Sequence, residues 1–360
     1  MRKAEPKEKD AAMAARQQAE ERDAMRQRRI RNRKLLETEE PVVFEVLSRA
    51  CAGELAHAYL LSGPRNALKS DAAVLLAASI FLHADHLIDE EALPRKEQET
   101  AERVATRNHA DLLVLDGYRK EMISLEKVQT VSSLFSRTAA ETGGRKVYII
   151  LHAENMSIGA MNGLLKFLEE PAADVYAILT TDNIERLLPT VISRCVGIPF
   201  HSLSPAVYEA AAAQEGLDPE DAYLMSHLVY SLDGLADMAA GEAWQKTRQM
   251  LKQFLGAEGD PRMVLTDYDL RIRSTDKDIN LDILTWFFGA LVQYYRDVIT
   301  GHEAGPDWYW QAMNRDRKTD PARLAARMRI AAEQRDRCNR NNDLNLVMAQ
   351  AMYRWEVTEE

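Results

Sequence analysis

Between residues 41 and 200, short apolar runs of strand length alternate with stretches of helical spacing, and this alternation constrains the fold more than any other feature. The runs lie at 58–61, 111–115, 147–151 and 176–181, with a shorter one at 197–200. Brief apolar runs bounded by turn residues read as strands buried on both faces. Helical spacing fills 41–56 (Val43, Val46, Leu47, Cys51, Leu55), 69–82, 125–141 (Val128, Val131, Leu134, Phe135), 158–169 and 184–192. Strand, helix and strand in this order predict a parallel sheet flanked by helices. After Phe200 strand-like runs nearly vanish, and helical spacing dominates 205–256 and 264–353, with 258–261 as a link. The expected organisation is a charged extension over 1–40, an α/β core over 41–200, a small helical domain over 201–260 and an all-α domain over 261–360.

The 360 residues are 46% apolar and 28% charged, ordinary for a globular chain with a sizeable core. That balance excludes collagen-like, disordered and small disulfide-scaffold classes. Cys51, Cys195 and Cys338 are far apart and odd in number, so a reducing, cytosolic setting is expected. No apolar run reaches the roughly 18–20 residues of a membrane helix, and the first residues carry no apolar stretch of the signal-peptide type. The net charge of -10 argues against nucleic-acid binding over the whole surface. Residues 1–34, however, hold 12 basic and 6 acidic side chains. This arm, poor in large apolar residues, reads as a solvated helix or mobile extension. An alternative is an arm that contacts DNA or a partner around Arg26 to Lys34.

Four motifs bear on chemistry. Gly63 to Ser70 follows a strand and opens a helix, the place of a phosphate-binding loop of the form G-x-x-x-x-G-K-[ST]. Gly63, Lys69 and Ser70 fit, but Leu68 stands where the second glycine lets backbone N–H groups close around phosphates. The loop is therefore degenerate, a turn more than a cradle. A P-loop ATPase also needs a carboxylate at the end of the strand over 147–151 to hold Mg²⁺. Leu151 and His152 occupy those places, and Glu154 comes too late to replace them in the ordinary way. No cofactor and no metal are expected. The third motif, 162–171, is an amphipathic helix stopped by Pro171. The fourth, Ser193-Arg194-Cys195, follows a strand and a short helix. A lone arginine is more often a solvated charge or a local ion-pair partner. One offered to a neighbour's γ-phosphate would stabilise transition-state charge, worth ~10³–10⁵ in rate.

Together these residues resemble the clamp-loader subunits of bacterial DNA polymerase III. The resemblance spans 57–200: His57-Ala58-Tyr59-Leu60, Ser62-Gly63-Pro64, His109-Ala110-Asp111-Leu112, 146–150, 162–171, Leu187-Leu188-Pro189-Thr190 and Ser193-Arg194-Cys195. Within that family the broken phosphate loop and the missing strand-end acid point to the delta-prime branch, and 152–156 is similar to its low-GC Gram-positive members. The resemblance implies an AAA+ core, a small helical lid and an all-α collar, all joining a ring with gamma/tau and delta subunits. Through that ring it implies a sliding clamp and primed DNA as partners, and membership of a polymerase holoenzyme for a chain with no catalysis of its own. It implies Arg194 as an arginine finger acting in trans, with Ser193 and Cys195 placing it, and Thr181 at a sensor position.

The family commonly carries four zinc-binding cysteines between the first core helix and the second strand. None stands between Leu82 and Asp111 here, where His83, Asp85, His86 and His109 lie among charged residues. Their spacing fits no standard zinc site, and the segment reads as solvated surface. Trp286, Tyr294, Tyr295, Arg296 and Asp297 fall on an apolar helix and read as core packing. Two alternatives remain open: an active gamma/tau-type ATPase, against which Leu68 and Leu151 speak, and a non-catalytic interaction paralogue with no need of Arg194.

Overall fold

The computed structural model describes residues 6–53, 55–64, 67–117, 122–135, 144–228, 235–256, 261–339 and 342–358. The chain forms two compact units, Met1–Leu203 and Ser204–Glu360. No described helix is long and apolar enough to cross a membrane.

The first unit runs α1 (Pro6–Glu39), α2 (Pro41–Ala52), β1 (Ala58–Ser62), α3 (Lys69–Phe81), α4 (Arg95–Ala105), β2 (Leu112–Asp116), α5 (Leu125–Phe135), β3 (Lys146–Leu151), α6 (Ile158–Glu169), β4 (Val175–Thr181), α7 (Pro189–Ile192) and β5 (Val196–Pro199). The sheet has five parallel strands in the order β2-β3-β4-β1-β5. All six residues of β3 are buried, as a central parallel strand requires. This is the expected α/β core, a parallel sheet flanked by helices, and its strands fall within a residue or so of the expected runs. β4 lies at the centre, and β1 sits between β4 and the edge strand β5, not beside β2. Ligand sites of open α/β sheets lie at the carboxyl ends of such strands, which places Gly63, His152 and Asp182 along one rim.

Local chemistry explains the element ends. Ser157 caps α6 by accepting a hydrogen bond from the Ala160 N–H at 3.1 Å, and Pro171 keeps the helix from running on. The expected helix over 125–141 is present to Phe135; its remainder, and Gly143, lie outside the described residues.

Two expectations need correction. The C-terminal half of α1 is not a free arm: Ile30, Asn32 and Leu36 are buried. Residues 83–111 are not all solvated surface, because Leu87, Ile88, Glu90, Ala101, Val104 and His109 are buried and α4 forms within them. The two errors share one cause. α1 docks on this segment: the Arg29 guanidinium donates to both Glu90 carboxylate oxygens at 2.7 and 2.9 Å. Arg26 donates to the Glu90 carbonyl at 3.1 Å and Arg33 to the Ile88 carbonyl at 3.0 Å, and Lys34 pairs with Glu91 at 2.8 Å. Polar residues that read as solvent-facing in isolation are partners of each other.

Among the described residues the second unit is helical: α8 (Pro205–Gln214), α9 (Pro219–Leu228), α10 (Leu235–Ala240), α11 (Glu242–Leu255), α12 (Pro261–Asp267), α13 (Lys277–Thr300), α14 (Asp307–Asp316), α15 (Pro321–Arg337) and α16 (Leu344–Val357). Asp276, Asp320 and Asp343 cap α13, α15 and α16, and Gly301 ends α13 at φ 74°. Tyr294, Tyr295 and Asp297 are buried on α13, and Arg296 is exposed. Trp286 packs edge-on against Trp244 at 6.0 Å between ring centroids.

Candidate functional site

At the carboxyl end of β1, Gly63 and Lys69 are drawn together. Gly63 takes its place by close approach: a Cβ there would meet the Phe200 carbonyl oxygen at 2.5 Å. Leu68 is buried and immediately precedes α3, so the residue that replaces the second glycine is a packing residue. The Lys69 ammonium, 4% exposed, donates to the carbonyl of Gly63 at 2.8 Å and to that of Pro64. It also lies 3.2 Å from Asp182 Oδ1. Ser70 is exposed. Arg65 and Asn66, between the two ends of the loop, lie outside the described residues.

Next to Lys69 the chain leaves β3 through His152, which adopts the left-handed conformation at φ 55° and ψ 52°. A non-glycine residue there is uncommon, though His tolerates it better than most. The turn is held by Thr180, whose hydroxyl accepts from the His152 N–H at 3.1 Å. It brings the imidazole between two acids, with Nδ1 at 3.8 Å from Glu154 and 3.7 Å from Asp182. Glu154 is itself buried and accepts from the Asp182 N–H at 3.3 Å.

Charge governs this group. Asp182 first, then Glu154, pushes the His152 imidazole up to about 9 against the desolvation that opposes it. Burial works against ionising the two carboxyls, but His152, and Lys69 at Asp182, outweigh it, so both sit below the ordinary carboxylate range. At neutral pH two cations, Lys69 and His152, therefore balance two anions, Glu154 and Asp182. Among the described residues, His152, Glu154 and Asp182 are the one group with donor atoms spaced for a metal ion, all within 4.8 Å. Their charge is already compensated by the protein's own cations.

Gly63 and Lys69, expected as parts of one phosphate-binding motif, stand within hydrogen-bond reach of each other, with Lys69 opening α3. Sequence reasoning gave Glu154 no role and missed Asp182. The available signal was an acid directly after a strand, at the carboxyl rim of a parallel sheet. Thr181 is fully buried; its hydroxyl accepts from the Asn183 N–H at 3.2 Å and its carbonyl from the Gly63 N–H at 3.2 Å. Those bonds tie β4 to the loop.

Ser193, Arg194 and Cys195 form a second group. They follow α7, with the Ser193 hydroxyl donating to the Thr190 carbonyl at 3.2 Å. Cys195 is half-buried against the core shared by Leu164, Leu168, Leu187 and Val191. Burial pushes its thiol up to about 11, and the side chain packs on that core. Arg194 lies at the surface, 32% exposed. Its guanidinium pairs with Glu169 at 2.7 Å and donates to the Thr190 carbonyl at 2.8 Å. The partners of Arg194 and those of Lys69 are different residues.

Comparison with known proteins bears on residues 39–204, which match the family model described as "DNA polymerase III, delta subunit". The chain is 34% identical over 196 residues to the DNA polymerase III subunit delta-prime of Bacillus subtilis, covering 54% of this chain and 57% of that protein. It is 37% identical over 142 residues to the delta-prime subunit of Pseudomonas aeruginosa, covering 39% and 42%. Residues 39–204, somewhat less than half of the chain, are thus similar to DNA polymerase III delta-prime subunits. The chain spans about half the length of these delta-prime relatives. The DNA polymerase III subunit tau of Bacillus subtilis is also similar, 30% identical over 152 residues, covering 42% of this chain and 26% of that protein. Gly63, Lys69 and Arg194 all fall inside the matched segment.

Proposed function

We infer that the chain is a delta-prime-like subunit of a DNA polymerase III clamp loader, which hydrolyses no ATP itself and offers Arg194 in trans to ATP on an adjacent gamma/tau subunit. With gamma/tau and delta it would load the sliding clamp on primed DNA, its helical regions over 201–260 and 261–360 serving as lid and collar. One observation carries this reading: the Lys69 ammonium is turned onto the carbonyls of its own loop and onto Asp182. A lysine so engaged is not directed at a β- or γ-phosphate, and Leu151, buried at the end of β3, offers Mg²⁺ no ligand atom. Arg194 by contrast is at the surface on a rigid corner, where a charge-stabilising side chain serves a neighbour.

The test is reconstitution with gamma/tau, delta, clamp and primed DNA, comparing ATP turnover with wild-type chain and with Arg194→Ala. Turnover at the adjoining site is expected to fall by roughly 10³-fold or more, with the complex still assembled on gel filtration. Equal rates would remove the trans role. Titration calorimetry of the chain alone with Mg²⁺ and ATP is expected to show no heat; micromolar binding would favour the gamma/tau-type reading.

A further inference from the structure

We propose that Glu169 parks Arg194, holding the guanidinium on its own subunit until a neighbour's triphosphate takes it over; this rests on the trans role inferred above. The geometry of both partners carries the argument. Arg194 uses its terminal nitrogens inward: one donates to the Thr190 carbonyl at 2.8 Å and lies 3.5 Å from the Ser193 hydroxyl, and the other pairs with Glu169 Oε1 at 2.7 Å. A bidentate grip on a phosphate recruits terminal nitrogens of the same fork. The clasp and the phosphate therefore compete for one guanidinium.

Both ends of the clasp stand on fixed elements. Glu169 is the last residue of α6 and Arg194 follows α7; Leu164 and Leu168 of α6 share a core with Leu187, Val191 and Cys195. The carboxylate thus stays in place when the arginine leaves, and nothing larger than a side chain has to move. The strength of the clasp suits a reversible hold. Glu169 and Arg194 are 48% and 32% exposed, and such solvent-facing pairs are weak and screened by salt. A multiply charged γ-phosphate outcompetes a single carboxylate, while in its absence the arginine stays docked.

The experiment uses the reconstituted complex with wild-type chain, Glu169→Gln, Arg194→Ala and the double variant, reading kcat/KM for ATP at low and high salt. Glu169→Gln is expected to raise kcat/KM about two- to fivefold at low salt, the range of an exposed ion pair, and the gain is expected to vanish at high salt. In the Arg194→Ala background Glu169→Gln is expected to change nothing. An unchanged or lowered kcat/KM for Glu169→Gln, with the thermal melt intact, overturns the clasp alone. So does an equal gain in the absence of Arg194. A complex indifferent to Arg194→Ala overturns the trans role and the clasp with it.

Discussion

His152 is the residue at which backbone, charge and position meet. Its left-handed backbone carries the ring off the end of β3 and between Glu154 and Asp182. Its pKa is raised to about 9, above the ordinary histidine value of ~6.5. The stabilisation it contributes is thus complete below ~6.5 and is lost as pH rises toward 9. Glu154 and Asp182 are lowered, so their share is present above the ordinary carboxylate range and is lost as pH falls through the lowered values. The stability gap between wild type and His152→Gln should be on the order of 2 kcal/mol near pH 6 and should close above pH ~9. Denaturant melts across pH and an NMR titration of the ring check this; a ring midpoint near ~6.5 would remove the ion network. Lys69, Gly63 and the absence of a strand-end acid were legible in sequence, because a phosphate loop is a contiguous motif. The pairing of Glu154 with Asp182 was not, since it joins residues 28 apart through a sheet.

Among the elements, α1 departs furthest from its sequence. Its composition predicts a helix with no face to bury, and its C-terminal half is buried all the same. The face it uses is polar: Arg26, Arg29, Asn32 and Arg33 lie three or four residues apart, and they bind Glu90, Asp71 and the Ile88 carbonyl. Helical periodicity of apolar residues is blind to such a face. Glu90 is 8% exposed and grips Arg29 with both oxygens. Glu90→Ala leaves that arginine uncompensated and should cost about 3 kcal/mol. It should also release α1, so that trypsin cleaves at Arg26 to Lys34 well before the core. Cleavage at the same rate in wild type and variant would show that the docking does not protect the helix. The strands behaved otherwise, because a buried parallel strand announces itself by a continuous apolar run that no partner is needed to interpret.

At the scale of the whole chain, Ser204–Glu360 has an aromatic core closed within itself: Phe254 packs edge-on against Phe287 and Trp355, and Phe288 stacks on Trp355. A fragment of residues 204–360 is therefore expected to fold alone, with a helical circular-dichroism spectrum and one cooperative melt. A gradual, non-cooperative loss of signal would mean that this core depends on the first unit. The change from α/β to all-helical texture near Phe200 was visible in sequence and coincides with the boundary after Leu203. The expected lid and collar regions lie in this one compact unit, where α11 (Glu242–Leu255) supplies Trp244 and Phe254 to α13 (Lys277–Thr300). By itself the sequence determined the kind and order of the elements and the degeneracy of the phosphate loop, because apolar period, caps and contiguous motifs act over a few neighbouring residues. Only the tertiary structure decided that α1 lies on Glu90, that His152 sits between two acids, and that Arg194 rests on Glu169. Those contacts join Arg29 to Glu90, His152 to Asp182 and Arg194 to Glu169, pairs 61, 30 and 25 positions apart, and no local pattern records which charge will meet which.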